Sequence, residues 1–107
     1  MKWFVLFTKP NCEINVANAL EGIGIRSYCP VYKKVKQYSD RIKKVDTPLL
    51  PSYVMVKIDN KDRNRVFNIP GIVRYVFWLG KPAIVRESEI ELMEKYLSGI
   101  YHGISTT

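Results

Sequence analysis

The chain has two cysteines, one histidine and no apolar run approaching the length of a membrane span. Cys12 and Cys29 lie far apart, form no CxxC pair and have no histidine at ligand spacing, so neither a metal site nor a disulfide framework is expected. The lone His102 stands in YHGISTT, where a frayed tail is expected and not a ligand. The body of the chain therefore lacks a histidine, a phosphate-binding Gly-rich loop and a ligand cluster, which excludes the usual catalytic sets and implies no cofactor. An enzyme is not expected. The opening MKWFVLFTKP has a short apolar run and no small-residue cleavage site, so no secretory signal and no membrane partner are expected, and a cytoplasmic location follows.

Acid is scarce over most of the length. Residues 1–86 hold sixteen Lys and Arg against six Asp and Glu, whereas residues 87–107 hold one against four. Such asymmetry points to a basic surface facing a polyanion, against the alternative of a merely solvated face. What is abundant is apolar: 47% of 107 residues are hydrophobic, which suits one folded domain with a real core.

KWFVLFT (2–8) is aromatic-rich with apolar residues on both parities, as a central strand would be. Lys9-Pro10 stops it, and Asn11 is the expected N-cap of a helix reaching Glu21, with Ile14, Ala17 and Leu20 as its buried stripe. Residues 25–47 read as strand material reversing at Ser39-Asp40. The two arms carry Lys33, Lys34, Lys36, Arg41, Lys43 and Lys44, cations that repel one another and resist burial, so the hairpin should project into water. SYVMVKI (52–58) and IVRYVFW (72–78) are further strands, separated by a short helix or turn over 61–71, and ESEIELMEKYL (87–97) is an amphipathic helix with Ile90, Met93 and Leu97 on one face. After Leu97 the composition shifts to that of a linker or frayed end, 98–107. The order describes an α+β fold: a mostly antiparallel four-stranded sheet, helices packed on one face, and a projecting basic β-hairpin.

In that layout only one parity per strand needs a cover, yet three strands are apolar on both. Val54, Val56 and Ile58 suit the helix-covered core, which leaves Tyr53 and Met55, with the lead-in Leu49-Leu50-Pro51 and with Phe7, as an exposed apolar cluster marking a partner site. Cover by the folded-back hairpin is the alternative. An uncovered apolar face could also pair two copies of the isolated chain.

WFVLFTKPNCEINVANAL, LLPSYVMVKID and IPGIVRYVFWLGKPAIVRESEIELM resemble, in the right order, the amino-terminal (NGN) domain of the NusG family over about residues 3–97. The lysine-rich hairpin, Ser52 in place of the usual Gly and the PAIV ending resemble the specialised paralogues of the RfaH and UpxY types. The resemblance implies a transcription elongation and antitermination domain that binds RNA polymerase at the tip of the β′ clamp helices and increases processivity. Carried over by position, the clamp-helix contact falls to Phe7, Leu50, Tyr53 and Met55, edged by Leu49 and Pro51. Lys9 matches a position approaching the non-template DNA strand, and the hairpin cations would face upstream nucleic acid without reading sequence.

Two departures narrow what is implied. Asp62-Arg63-Asn64-Arg65 stands where RfaH has the His-Thr-Thr run that reaches the polymerase gate loop, and Pro70 replaces a basic residue, so neither that contact nor sequence-specific DNA reading is expected. The family normally adds a carboxy-terminal KOW barrel; GISTT resembles the start of the linker to it, and an excised amino-terminal domain is expected. The competing function is a single-stranded RNA-binding module stacking bases on an exposed sheet face, although no RNP1-like run is present.

Overall fold

The computed structural model describes the backbone of residues 1–101 and the side chains of residues 1–97. Along the chain run β1 (Lys2–Thr8), α1 (Glu13–Gly22), β2 (Arg26–Tyr28), β3 (Val31–Gln37), β4 (Ile42–Pro48), β5 (Tyr53–Ile58), a 3-10 helix (Asn60–Asn68), β6 (Ile72–Tyr75), β7 (Phe77–Trp78), β8 (Lys81–Pro82), β9 (Ile84–Val85) and α2 (Glu87–Tyr101). The main sheet is antiparallel in the order β2-β5-β1-β6, with β9 also pairing β1 beyond β6. It is thus four strands wide. The α+β class and the antiparallel sheet are as the sequence pattern requires.

Central β1 and β5 face each other in continuous register from Lys2↔Ile58 to Phe7↔Tyr53. Even positions of both strands (Phe4, Leu6, Val54, Val56, Ile58) enter one core with Val16 and Leu20 of α1 and with Val66 of the 3-10 helix. Each such fully buried aliphatic contributes about 1.5–3 kcal/mol relative to exposure. Odd positions Trp3 and Met55 enter a second core with Ile90 of α2, flanked by Val5, Tyr28, Val85 and Met93.

This second core corrects the expected placement of the helices. They do not share a face: α1 covers the even side and the first turns of α2 cover the odd side. The physical reason is the double apolar parity itself, which demands a cover on each face, and the Ile90/Met93 stripe supplies the one that was missing. Met55, expected in the open, is accordingly 2% exposed. The hairpin is not the cover, since β3 and β4 pair only with each other in a separate two-stranded sheet.

Four local expectations also change. Asn11 does not cap α1; it sits at φ 66°, and the helix starts at Glu13 after Cys12 without a side-chain cap. The buried face of α1 is Glu13, Val16 and Leu20, so Ile14 and Ala17 lie at its margin. The third strand ends at Tyr75, because β7 leaves the sheet to pair with β8. The final helix runs on to Tyr101, past the composition shift at Leu97. Residues 102–107, including His102 and most of the expected linker, lie outside the described residues. Among the described residues no helix is long and apolar enough to cross a membrane.

Candidate functional site

Between the α2 face and the start of β5 the odd side of the sheet is left open as a groove of about 350 Å³, lined by Val5, Leu50, Tyr53, Met55, Val85, Glu89, Leu92 and Met93. Met55 forms its floor. Tyr53 and Leu50 stand at its rim, 39% and 37% exposed, while Leu92 of α2 is 68% exposed on the far wall. Phe7 lies beside Tyr53 with ring centroids 5.9 Å apart, and the Arg74 guanidinium sits 5.2 Å over the other side of the Phe7 ring. Register explains the row, since Tyr53 and Arg74 both oppose Phe7 across its two neighbouring strands.

Of the six apolar residues expected to form one contact surface, Phe7, Leu50, Tyr53 and Met55 are brought together, with Met55 underneath instead of on the surface. Leu49 is half-buried and Pro51 exposed in the turn that leads in. Val85, Leu92 and Met93 were not foreseen as wall residues. The signal was there: Glu89, Leu92 and Met93 are spaced i, i+3, i+4, which puts them on one side of a helix.

The turn before β5 is held by a buried carboxylate. Glu13, 5% exposed, accepts the Ser52 N–H at 2.7 Å, and Ser52 in turn offers its carbonyl to the Thr8 N–H at 2.8 Å. Ser52 has φ 71°, a left-handed conformation that costs a non-glycine residue, and this double hold over-determines it. Below it, Gly71 (φ 98°) passes so close to α1 that an added Cβ would stand 3.1 Å from that of Cys12. Cys12 and Cys29 are free thiols, and burial, followed by the Glu13 charge, pushes the Cys29 thiol up to about 11.

The far wall has its own anchor. Glu87, the first residue of α2, accepts hydrogen bonds from Lys57 Nζ at 2.9 Å and Trp3 Nε1 at 3.1 Å. Those bonds, Lys57's first, hold its carboxyl below the usual glutamate range.

Beside the groove stands the basic hairpin. Tyr38 and Arg41 close it by exchanging backbone hydrogen bonds around Ser39-Asp40, the reversal expected from sequence. Pairing register divides its cations unequally: Lys34, Lys36, Arg41 and Lys43 share one side with Tyr32 and Tyr38, while Lys33 and Lys44 share the other with Val35 and Ile42. Lys33 is ion-paired with Asp46. Lys36 directly opposes Lys43. Like charges so placed destabilise a hairpin, and the exposure of Val35 and Ile42 returns little apolar burial to offset them. Lys9 is exposed at the end of β1, its N–H donated to Gly71.

An apolar groove and a cationic hairpin thus accompany a small antiparallel sheet. The family model for NusG, described as transcription termination factor NusG, matches residues 1–94. The chain belongs to the NusG family. It is a family of transcription factors, not of enzymes. The fold is shared with a solved structure of Thermotoga maritima NusG, titled for domain interaction in that protein, at a TM-score of 0.59 and 23% sequence identity over 92% of this chain. The match covers 58% of that chain's length. No curated protein matches the sequence.

Proposed function

We propose that this is the RNA polymerase-binding domain of a transcription elongation factor, and that the groove lined by Leu50, Tyr53 and Met55, with Phe7 beside it, takes the β′ clamp helices. The observation that carries the reading is the groove's chemistry: aliphatic, thioether and aromatic groups line it, and Glu89 is its charged residue. Leu49 and Pro51 shape the entry. In isolation the same groove is where two copies would pair.

Lys9 and the hairpin cations Lys33, Lys34, Lys36, Arg41, Lys43 and Lys44 then supply nonspecific contacts to non-template or upstream DNA, and the bound factor acts in the cytoplasm as a specialised, antiterminating paralogue. The rival in which bases stack on an open sheet face has less room, because α1 covers the even side and the first turns of α2 cover part of the odd side, leaving only the groove.

Binding of the chain to an isolated β′ clamp-helix fragment tests the reading. Tyr53→Ala removes a rim residue only 39% exposed and should weaken binding roughly tenfold or more, with nucleic-acid affinity unchanged. Retained clamp-helix affinity in Tyr53→Ala would sink the proposal.

A further inference from the structure

A second exposed apolar feature lies away from the groove. Between β6 and β9 the chain leaves the edge of the sheet as a six-residue ribbon, Phe77–Pro82, whose neck is closed by the Ala83 N–H donating to Val76 at 2.8 Å. Its tip is a tight turn in which Leu79 (φ 53°) and Gly80 (φ 79°) both take left-handed conformations. Glycine does so freely, leucine does not, and neither Leu79 nor its neighbour is rewarded by burial: Trp78 is 72% and Leu79 84% exposed. The molecule therefore holds a tryptophan in water on a strained turn, the kind of local conflict that marks a functional position.

The ribbon's surroundings indicate what the ring meets. Across the ribbon Trp78 is paired with Lys81, so an indole face and an ammonium share one side. The segment 72–86 carries Arg74, Lys81 and Arg86 and no carboxylate. Lys81 also borders a recess with Lys2, and the carboxylate there, Asp59, is paired with the N-terminal amine at 3.5 Å. An aromatic plane beside unopposed cations complements an unpaired base and its phosphate.

We infer that the ribbon Phe77–Pro82 is a stacking site for single-stranded nucleic acid, Trp78 stacking on an unpaired base and Lys81 meeting the adjoining phosphate. Neither stacking on an indole nor an ammonium–phosphate contact reads a 2′-hydroxyl, so DNA and RNA strands are bound alike. This site is independent of the polymerase-docking reading and uses none of its residues.

The two tryptophans make the test direct, because Trp3 is 3% exposed and Trp78 is not shielded. Titration with oligothymidylate and with oligouridylate should quench the intrinsic fluorescence in parallel with binding followed by anisotropy of a labelled strand. Trp78→Leu should abolish the quench and lower affinity roughly tenfold, as loss of one stacked base does. Lys81→Gln should reduce the salt dependence by about one phosphate contact while leaving the quench at saturation intact. Because Trp78 is a surface residue, an unchanged Trp3 emission maximum and melting temperature in Trp78→Leu certify the fold. Strand binding without a change in tryptophan emission, equal affinity of Trp78→Leu, or quenching by duplex as strong as by single strands would each overturn the inference.

Discussion

At the scale of single residues, the least expected group is Glu13. A carboxylate in the first turn of a helix is ordinary on electrostatic grounds, but this one is turned inward and spends its charge on the Ser52 N–H. It ties α1 to the turn from which Leu50 and Tyr53 form the groove rim. Removing it in Glu13→Ala leaves a partly buried N–H without a partner beside a strained φ, so stability should fall by about 2 kcal/mol in denaturant titration. The groove should loosen as well, and clamp-helix affinity should fall with Tyr53 still in place. Glu13→Gln keeps an acceptor oxygen and should recover most of both losses; failure of Gln to recover either would mean that the charge, not the hydrogen bond, holds the turn. From sequence Glu13 was legible only as a first-turn acid, because its partner lies 39 residues away.

At the scale of elements, pairing register does what composition could not. Six cations on the hairpin were evident from the sequence, as was the reversal at Ser39-Asp40, since local turn chemistry and alternation specify both. Which of them act together follows only from the cross-strand pairs. Lys34, Lys36, Arg41 and Lys43 form one cationic side, whereas Lys33 is tied to Asp46 and Lys44 stands across from Val35. Charge removal at Lys36 and Lys43 should therefore flatten the dependence of log K on log salt by about 1.8, at roughly 0.9 per phosphate contact. The same treatment of Lys33 and Lys44 should change it by less than half as much. Equal effects of the two double variants would show that the hairpin acts as diffuse charge with no preferred side. Relief of the Lys36–Lys43 opposition should also raise the hairpin's own stability in the absence of nucleic acid.

At the scale of the whole molecule, the chain is a two-core sheet carrying two appendages, the cationic hairpin and the aromatic ribbon. No residue between 33 and 46 belongs to either core. Replacing that stretch with a tight turn should leave a single cooperative thermal transition with native near-ultraviolet signal, while affinity for nucleic acid drops. Loss of cooperative unfolding would mean that the hairpin braces the sheet after all. The division of labour by sequence alone was clear in outline: strand periodicity, the helix stripes, the turn residues and the charge asymmetry are local properties, so they determined the α+β class, the separate hairpin and several of the apolar residues that line the groove. Only the tertiary structure decided which face each helix covers, because an apolar stripe such as Ile90 and Met93 states that it must be buried and not against what. That choice sank Met55 to the floor of a groove, raised Leu92 and Met93 as its wall, and left Trp78 in the open at the sheet edge.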